Sequence, residues 1–248
     1  MKWISKPPLG TQLDWSNHLN KGLSGYWPMN EGMGNKINDL SMNGNTGTLT
    51  GMAFPSTAAS GWNPGKFGPT LNFDEVNDYV DTNSASLGLN SSDNITIEAW
   101  FKTSQTYTDN AMIINDYDRT NVRGWQLSTD DTNQLAVYNI RIVGNYRYIY
   151  STGLINDGIW HHAVAIIMGN GSDIDLYLDG VDQGSSTLVG TGVSQLYFGD
   201  GNVIIGRQST PSERYFNGSI DGVRVYNRAL SAAMVLQLYK EPFCIFNR

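Results

Sequence analysis

The sequence predicts an all-β sandwich of the jelly-roll type, with two antiparallel sheets and one short C-terminal helix. Short strand patterns recur between Gly, Asn and Asp turns along most of the 248 residues, as in sandwiches and jelly rolls. Glycine (27 residues) and aromatic residues (11%) suit strands and tight turns. Charged residues make up 16% of the chain, against about 25% in typical domains, so long amphipathic helices are not expected. Sandwiches of this length often form one domain.

Three regions follow one another along the chain. Residues 1–21 form a predicted N-terminal arm, because Pro7-Pro8 opposes both helix and sheet. Residues 22–240 carry the strand patterns of the main domain, and residues 241–248 form a C-terminal tail. The predicted strands include residues 25–27, 71–73, 95–101, 111–114, 135–140, 160–167, 174–178, 203–206 and 222–226.

The arm and the tail are both apolar. The residues concerned are Trp3, Ile4, Leu9, Leu13 and Trp15 in the arm and Phe243, Ile245 and Phe246 in the tail. Two interpretations stay open for them: they attach the domain to a larger assembly, or they pack on the sandwich.

Two local signals fix particular elements. Asp179-Gly180 between two apolar runs predicts a tight hairpin, because both residues accept the positive backbone angles of such a turn. Ser231 is a favourable N-cap for a helix over residues 232–239, and Pro242 ends it.

Charge and cysteine content exclude several classes of protein. The net charge of −7 and the pI of about 4.8 argue against nucleic acid, whose binding depends on neutralising phosphates. Cys244 is the single cysteine, so no intrachain disulfide forms. No apolar run approaches the roughly 20 residues of a membrane span. Prolines interrupt the start of the chain before a signal-peptide core, so we expect a soluble protein without membrane insertion or a visible export signal.

Two distant stretches contain candidate calcium ligands. The turn over residues 39–49 is rich in oxygen donors and glycines, and a strand near the end of the chain carries one acidic residue. Carboxylates, amide oxygens and carbonyls are the ligands that Ca²⁺ prefers. The candidate ligands are Asp39, Asn43, Asn45, Thr48 and Asp221. The alternative is that Asp39 and Asp221 cap turns.

Candidate ligand-binding residues lie in the middle of the chain. Tyr146, Tyr148 and Tyr150 alternate along one strand face, and exposed aromatic rings suit stacking on sugars. The alternative is a cross-strand packing ladder. Asp116, Arg119, Arg123 and Trp125 are assigned to a long loop that rims the site, because binding residues concentrate on loops.

No complete catalytic motif is present. His161 and His162 are adjacent on a strand and point to opposite faces, so they cannot chelate one ion. Asp173, Asp175 and Asp179 share one face of an alternating strand. A solvated face is the simpler interpretation than a pair of glycosidase carboxyl groups.

The order of several fragments resembles the laminin-G-like branch of the concanavalin-A-like lectin/glucanase superfamily, over about residues 22–240. The fragments are residues 25–32, 39–49, 64–68, 72–74, 78–80, 97–100, 158–164, 176–180 and 216–231. The resemblance implies a jelly roll, often a structural Ca²⁺, and usually a binding role toward glycans or protein surfaces. Some relatives are glucanases with a Glu-x-Asp-x-x-Glu strand, which this sequence lacks.

The expected function is a non-enzymatic, lectin-like module that recognises a glycan or a cell or virion surface. It would carry structural calcium and belong to a homo-oligomer or a larger assembly such as a phage particle, in an extracellular or virion-associated setting. One alternative is a structural or decoration protein with protein–protein contacts alone. A glycan-cleaving enzyme on the same fold is the third possibility.

Overall fold

A computed structural model describes residues 4–209 and 213–247, and these form two antiparallel β-sheets, as predicted. Trp3 lies outside the described residues. The first sheet contains β1 (Leu23–Trp27), β4 (Gly61–Pro64), β5 (Pro69–Asp74), β7 (Ile95–Lys102), β12 (His161–Ile167), β13 (Ile174–Leu178), β14 (Val181–Asp182) and β17 (Asn217–Tyr226). The second contains β2 (Lys36–Ile37), β3 (Gly47–Thr50), β6 (Tyr79–Asp81), β8 (Met112–Asp118), β9 (Arg123–Thr129), β10 (Gln134–Ile142), β11 (Asn145–Leu154), β15 (Thr187–Val189) and β16 (Ile204–Ile205).

The strand order shows long-range connections. The first sheet runs β14-β13-β12-β7-β17-β5-β4, and β1 also pairs with β17. The second runs β15-β11-β10-β9-β8-β16-β6-β3-β2. The late strand β17 therefore lies in the middle of its sheet, between β7 and β5. The sheet is continuous only when this strand, near the end of the chain, has been added.

The main core lies between the two sheets. Inward-facing residues of both sheets form one apolar cluster, in which Trp27, Phe101 and Trp125 are fully buried. The two-residue period of a strand produces this pattern, since alternate side chains point to the same face. Fully burying each large apolar side chain contributes roughly 1.5–3 kcal/mol.

A second apolar layer covers the outer face of the first sheet, which we call the covered sheet. The arm, the helix α1 (Ala232–Lys240) and the tail form one cluster with outward-facing Val164 and Ile166. Leu13 of the arm forms a β-bridge with Phe246 of the tail. Of the two interpretations of the arm and tail, the structure shows packing for Leu13 and for Phe243, Ile245 and Phe246, all of which are buried. Ile4, Leu9 and Trp15 are 86%, 59% and 45% exposed.

Both local predictions are confirmed. Asp179 and Gly180 have φ of 52° and 77° between β13 and β14, as a type I′ turn requires. The Oγ of Ser231 accepts a hydrogen bond from the Met234 amide (3.4 Å) at the start of α1. In the described part of the chain, no helix is long and apolar enough to cross a membrane.

The outer face of the second sheet carries a smaller apolar cluster. Met112, Tyr117 and Ile140 are buried there, with Tyr138 and Tyr146 packed against them. The arm, α1 and the tail pack on the other sheet. We therefore call the second sheet the open sheet.

Candidate functional site

Four half-exposed tyrosines form a continuous cluster on the open sheet. In the pairing of β10 with β11, Tyr138 lies opposite Tyr148, and Tyr146 and Tyr150 flank it diagonally. The Tyr138 ring centroid lies 5.8 Å from that of Tyr148, and the Tyr148 and Tyr150 centroids are 5.0 Å apart. Val137 and Ile149, one position along each strand, point into the main core. Strand alternation therefore turns the four rings, the tyrosine cluster, outward.

The tyrosine cluster offers hydroxyl groups as well as ring faces. The hydroxyls of Tyr138 and Tyr150 are hydrogen-bonded to each other. Partial burial raises the pKa of both residues above the ordinary value of tyrosine. These groups stay protonated at neutral pH and can donate to, or accept from, an uncharged polar ligand.

Three hollows adjoin one another along this face, and together we call them the tyrosine groove. The first, of about 210 Å³, is lined by Tyr138, Tyr146 and Ile140 among others. The second, of about 190 Å³, shares Tyr138 and Ile140 with it. The third, of about 310 Å³, shares Asn110 and Arg214 with the second. Shared lining residues make the three one extended depression.

Polar groups line the middle of the tyrosine groove. Gln126 is 2% exposed, and its Oε1 has no hydrogen-bond partner among the described residues. Its Nε2 donates to Ser128 Oγ (3.2 Å). Arg214 donates from Nε to Asp109 Oδ2 (3.0 Å). A ligand here meets aromatic faces next to one unpaired acceptor and one cation.

The structure thus brings together the three tyrosines singled out by sequence, Tyr146, Tyr148 and Tyr150. Their rings also contact one another. The alternative interpretation of these residues, a ladder of packed side chains, is therefore compatible with the same arrangement. Sequence reasoning missed Tyr138, Gln126 and Arg214. Tyr138 lies within the predicted strand 135–140, but no local pattern in the sequence indicates that this strand pairs it with Tyr148.

The prediction of a long loop is wrong for Asp116, Arg123 and Trp125, because these residues lie on β8 and β9. Asp116 and Trp125 lie directly opposite each other, and both are fully buried. Neither side chain lines any of the three hollows of the tyrosine groove, so neither contacts a ligand bound there. Arg119 and Arg123 are half-exposed and form surface ion pairs with Glu213 and Asp200. Their part in ligand binding stays a prediction.

Asp116 should make stability depend on pH. Burial raises its pKa to about 8, and neither carboxylate oxygen has a hydrogen-bond partner among the described residues. The unfolded chain ionises near pH 4, so the folded state holds the extra proton between these values. We expect the stability of the wild type relative to Asp116→Asn to fall from about pH 4 upward and to level off above about pH 8. Urea unfolding of both proteins across this range measures it, and parallel pH profiles would contradict it.

The candidate calcium ligands are divided between separate places. Asp39 accepts hydrogen bonds from the amides of Tyr26, Ser41 and Asn45, at 2.8–3.0 Å, and from the side chains of Ser41 and Asn45. Asn43 and Asn45 donate to the Ser24 carbonyl nearby. Thr48 lies on β3, where its Oγ1 accepts from Asn83 (3.2 Å).

Asp221 has a different partner, because its Oδ1 pairs with the ammonium of Lys6 from the arm. A calcium ligand must direct its lone pairs at the ion, whereas both Asp39 oxygens already accept N–H or O–H groups. The predicted set therefore does not fit Ca²⁺ as placed, and turn capping, the alternative, describes Asp39. Among residues 4–209 and 213–247, no three His, Cys, Asp or Glu side chains are placed to hold a metal. Calcium binding itself stays a prediction.

The histidines have structural partners on opposite sides of β12. His161 contacts Asp179 (2.8 Å) and Asp157 (3.1 Å), and the buried His162 contacts Glu98 (3.0 Å). The prediction that the two side chains point to opposite faces of the strand is confirmed. Asp175 is half-buried on β13 of the covered sheet, whereas the tyrosine groove lies on the open sheet.

The fold resembles solved structures of binding domains. The binding domain of Paraclostridial Mosquitocidal Protein 1 superposes with a TM-score of 0.68 and 17% identity, over 92% of this chain and 54% of that one. Domain 4 of AbnA, an extracellular GH43 arabinanase from Geobacillus stearothermophilus, was solved with arabinotriose. Its TM-score is 0.60 and its identity 20%, over 88% of this chain and 98% of that domain.

The binding domain of botulinum neurotoxin DC in complex with rat synaptotagmin II is also similar, with a TM-score of 0.58 and 13% identity. The match covers 89% of this chain and 52% of that one. This chain thus spans about half the length of both toxin domains. At sequence identities of 13–20%, these matches establish a shared fold and no shared function. A sequence comparison with curated proteins found no match.

A family model covers most of the sandwich. It matches residues 74–236, from the end of β5 into α1, and so includes the tyrosine cluster and β17. The chain belongs to the Laminin G 3 family of the concanavalin A-like lectin/glucanases superfamily.

Proposed function

We propose that this chain is a glycan-binding module whose ligand lies in the tyrosine groove. One observation carries the proposal: the tyrosine cluster lies half-exposed on the open sheet, while the arm, α1 and the tail cover the other sheet. Exposed aromatic surface of this kind marks interaction sites.

The chemistry of the groove suits a sugar. Pyranose and furanose rings present C–H faces that pack on aromatic rings, and tyrosine adds a polar tip to an apolar body. Sugar hydroxyls both donate and accept. The unpaired Oε1 of Gln126 supplies an acceptor, and Arg214 and Asn110 supply donors at the same hollow. A buried acceptor without a partner is costly, so a hydroxyl that satisfies Gln126 gains affinity.

The extent of the groove favours an oligosaccharide over a single sugar. Three adjoining hollows share lining residues along the sheet, from Tyr146 to Glu213. Domain 4 of AbnA was solved with arabinotriose, which supports the ligand class. The complex of the botulinum domain with synaptotagmin II supports the alternative, a protein receptor. The half-buried tyrosines and polar hollows of this chain favour the sugar.

We propose binding without cleavage. Glycosidases need two carboxyl groups, roughly 5–9.5 Å apart, on either side of the scissile bond. The described residues that line the two hollows beside the tyrosine cluster include no Asp or Glu. Three carboxylates from the described part of the chain line the third hollow. Asp109 and Glu213 are ion-paired with Arg214 and Arg119, and Glu75 accepts a hydrogen bond from the side-chain amide of Asn217 (3.4 Å).

Such a module gains most from being displayed in several copies, since weak single contacts become strong through multivalency. An extracellular setting fits this use, as AbnA is itself extracellular. Homo-oligomerisation and a place on a virion stay predictions of the sequence.

A glycan array tests the proposal. The protein is displayed multivalently, and each glycan that binds is then incubated with it and assayed for new reducing ends. We expect binding to at least one oligosaccharide and no release of reducing ends. Absence of any bound glycan at high valency would favour a protein partner and contradict the proposal. Release of reducing ends would establish an enzyme instead.

A further inference from the structure

The side chain of Lys6 lies in a cage of oxygen atoms beneath the N-terminal arm. Its Nζ donates hydrogen bonds to the carbonyl oxygens of Met29 (2.9 Å) and Pro69 and to Oδ1 of Asp221. The Lys6 and Asp221 side chains are 4% and 1% exposed. Each of the three ammonium hydrogens therefore has a protein acceptor, at a place from which water is excluded.

Further carboxylate oxygens accompany this cage. The second oxygen of Asp221 is buried, and it has no hydrogen-bond partner among the described residues. The same holds for Oε2 of Glu31, whose charge acts on Lys6. The surroundings of Lys6 therefore combine main-chain carbonyls with carboxylates, the donor types that bind hard cations.

The cage requires a positive charge. Burial raises the pKa of Asp221 to about 6, although Lys6 beside it acts in the opposite direction. Burial also lowers the pKa of Lys6, against the pull of Asp221. Each charge is stable in this place because of the other, and removal of one leaves a buried, uncompensated charge.

The ammonium joins four segments that are distant in the sequence. Lys6 belongs to the arm, Met29 follows β1, Pro69 begins β5 and Asp221 lies on β17. The amide of Lys6 also donates to the Phe67 carbonyl (2.9 Å), which fixes the backbone over the cage. A cation at this point joins the arm to segments at β1, β5 and β17, all of which belong to the covered sheet.

We propose that Lys6 is the resident cation of this cage, and that its ammonium performs the structural role that the family resemblance implies for Ca²⁺. The wild-type chain then needs no divalent metal for stability. Once the ammonium is removed, the same oxygen atoms accept a divalent cation such as Ca²⁺, with water completing its shell.

Thermal unfolding of the full chain, in millimolar CaCl₂ and in EDTA, tests this proposal. We expect the same Tm for the wild type in both conditions. Lys6→Ala in EDTA should lose about 10 °C, as expected for a buried ion pair that loses one partner in a chain of this length. CaCl₂ should restore part of the loss. The control is Lys36→Ala, which removes an exposed lysine from β2 and should melt with the wild type.

The double variant Lys6→Ala/Asp221→Asn separates charge from packing. It removes both charges, so it should melt above Lys6→Ala in EDTA and show no response to calcium. A wild type whose Tm falls in EDTA, or a Lys6→Ala protein that melts with Lys36→Ala, would overturn the proposal. Should Lys6→Ala not fold, a folded, calcium-insensitive double variant supports the proposal. An unfolded double variant contradicts it.

Discussion

Replacing Arg224 by methionine is expected to lower the free energy of unfolding by about 3–5 kcal/mol, the cost of leaving a buried charge without its partner. Arg224 is 1% exposed, and Glu98, with which it forms an ion pair, is fully buried. Arg224 also donates to the hydroxyl of Tyr26 (3.2 Å) and to the carbonyl of Pro242 (2.6 Å). One side chain therefore connects β17 with β7, β1 and the tail.

The state of Glu98 determines the size of this effect. Burial alone would raise its pKa, but Arg224 and His162 outweigh burial and hold the pKa below its usual value. Glu98 is consequently charged at neutral pH. Without Arg224 it must either stay charged in an apolar layer or take up a proton, and both states cost free energy.

Urea denaturation at neutral pH measures this loss. Arg141→Met, which removes an exposed arginine from β10, is the matched control and should change the free energy of unfolding by less than about 0.5 kcal/mol. The double variant Glu98→Gln/Arg224→Met removes both charges and should recover part of the loss. An Arg224→Met protein as stable as the control would show that the ion pair contributes nothing to the covered sheet.

Replacing Tyr138 by alanine is expected to weaken oligosaccharide binding about 30-fold, which corresponds to roughly 2 kcal/mol for a central aromatic contact. Tyr138 lines two of the three hollows and contacts all three other members of the tyrosine cluster, with centroid distances of 5.8–6.2 Å. It is half-exposed, so its loss removes ligand contact area more than core packing. Isothermal titration with a glycan identified on the array measures the change.

The control for this variant is Trp15→Ala. Trp15 is 45% exposed on the arm, away from the tyrosine cluster, and lines another hollow of about 400 Å³. Its replacement should leave the affinity unchanged. A loss of binding with Trp15→Ala but not with Tyr138→Ala would place the sugar over the arm and contradict the proposed site.

Local patterns predicted the fold well because they depend on neighbours in sequence. The Asp179-Gly180 turn, the Ser231 cap and the opposite faces of His161 and His162 all follow from spacing over a few residues. The same alternation put Tyr146, Tyr148 and Tyr150 on one face. Each of these predictions needs no knowledge of which strands pair.

The partners of buried polar groups could not be predicted, since they depend on strand order. Asp39 and Asp221 looked like two ligands of one ion, yet Asp39 is saturated by its own turn and Asp221 is paired with Lys6. No pattern in the arm marks Lys6, because its partners lie on three distant segments. Likewise, Tyr138 and Gln126 join the candidate site through the pairing of β9, β10 and β11. Asp116 and Trp125 were predicted to contact the ligand, but strand pairing buries both side chains on β8 and β9.

A crystal structure with a bound oligosaccharide tests the central claim most directly. We predict a sugar ring packed on Tyr138 and a sugar hydroxyl within hydrogen-bonding distance of Oε1 of Gln126, in the middle hollow of the tyrosine groove, which both residues line. An oligosaccharide bound beside Trp15 or elsewhere on the covered sheet, with the tyrosine cluster free, would contradict it.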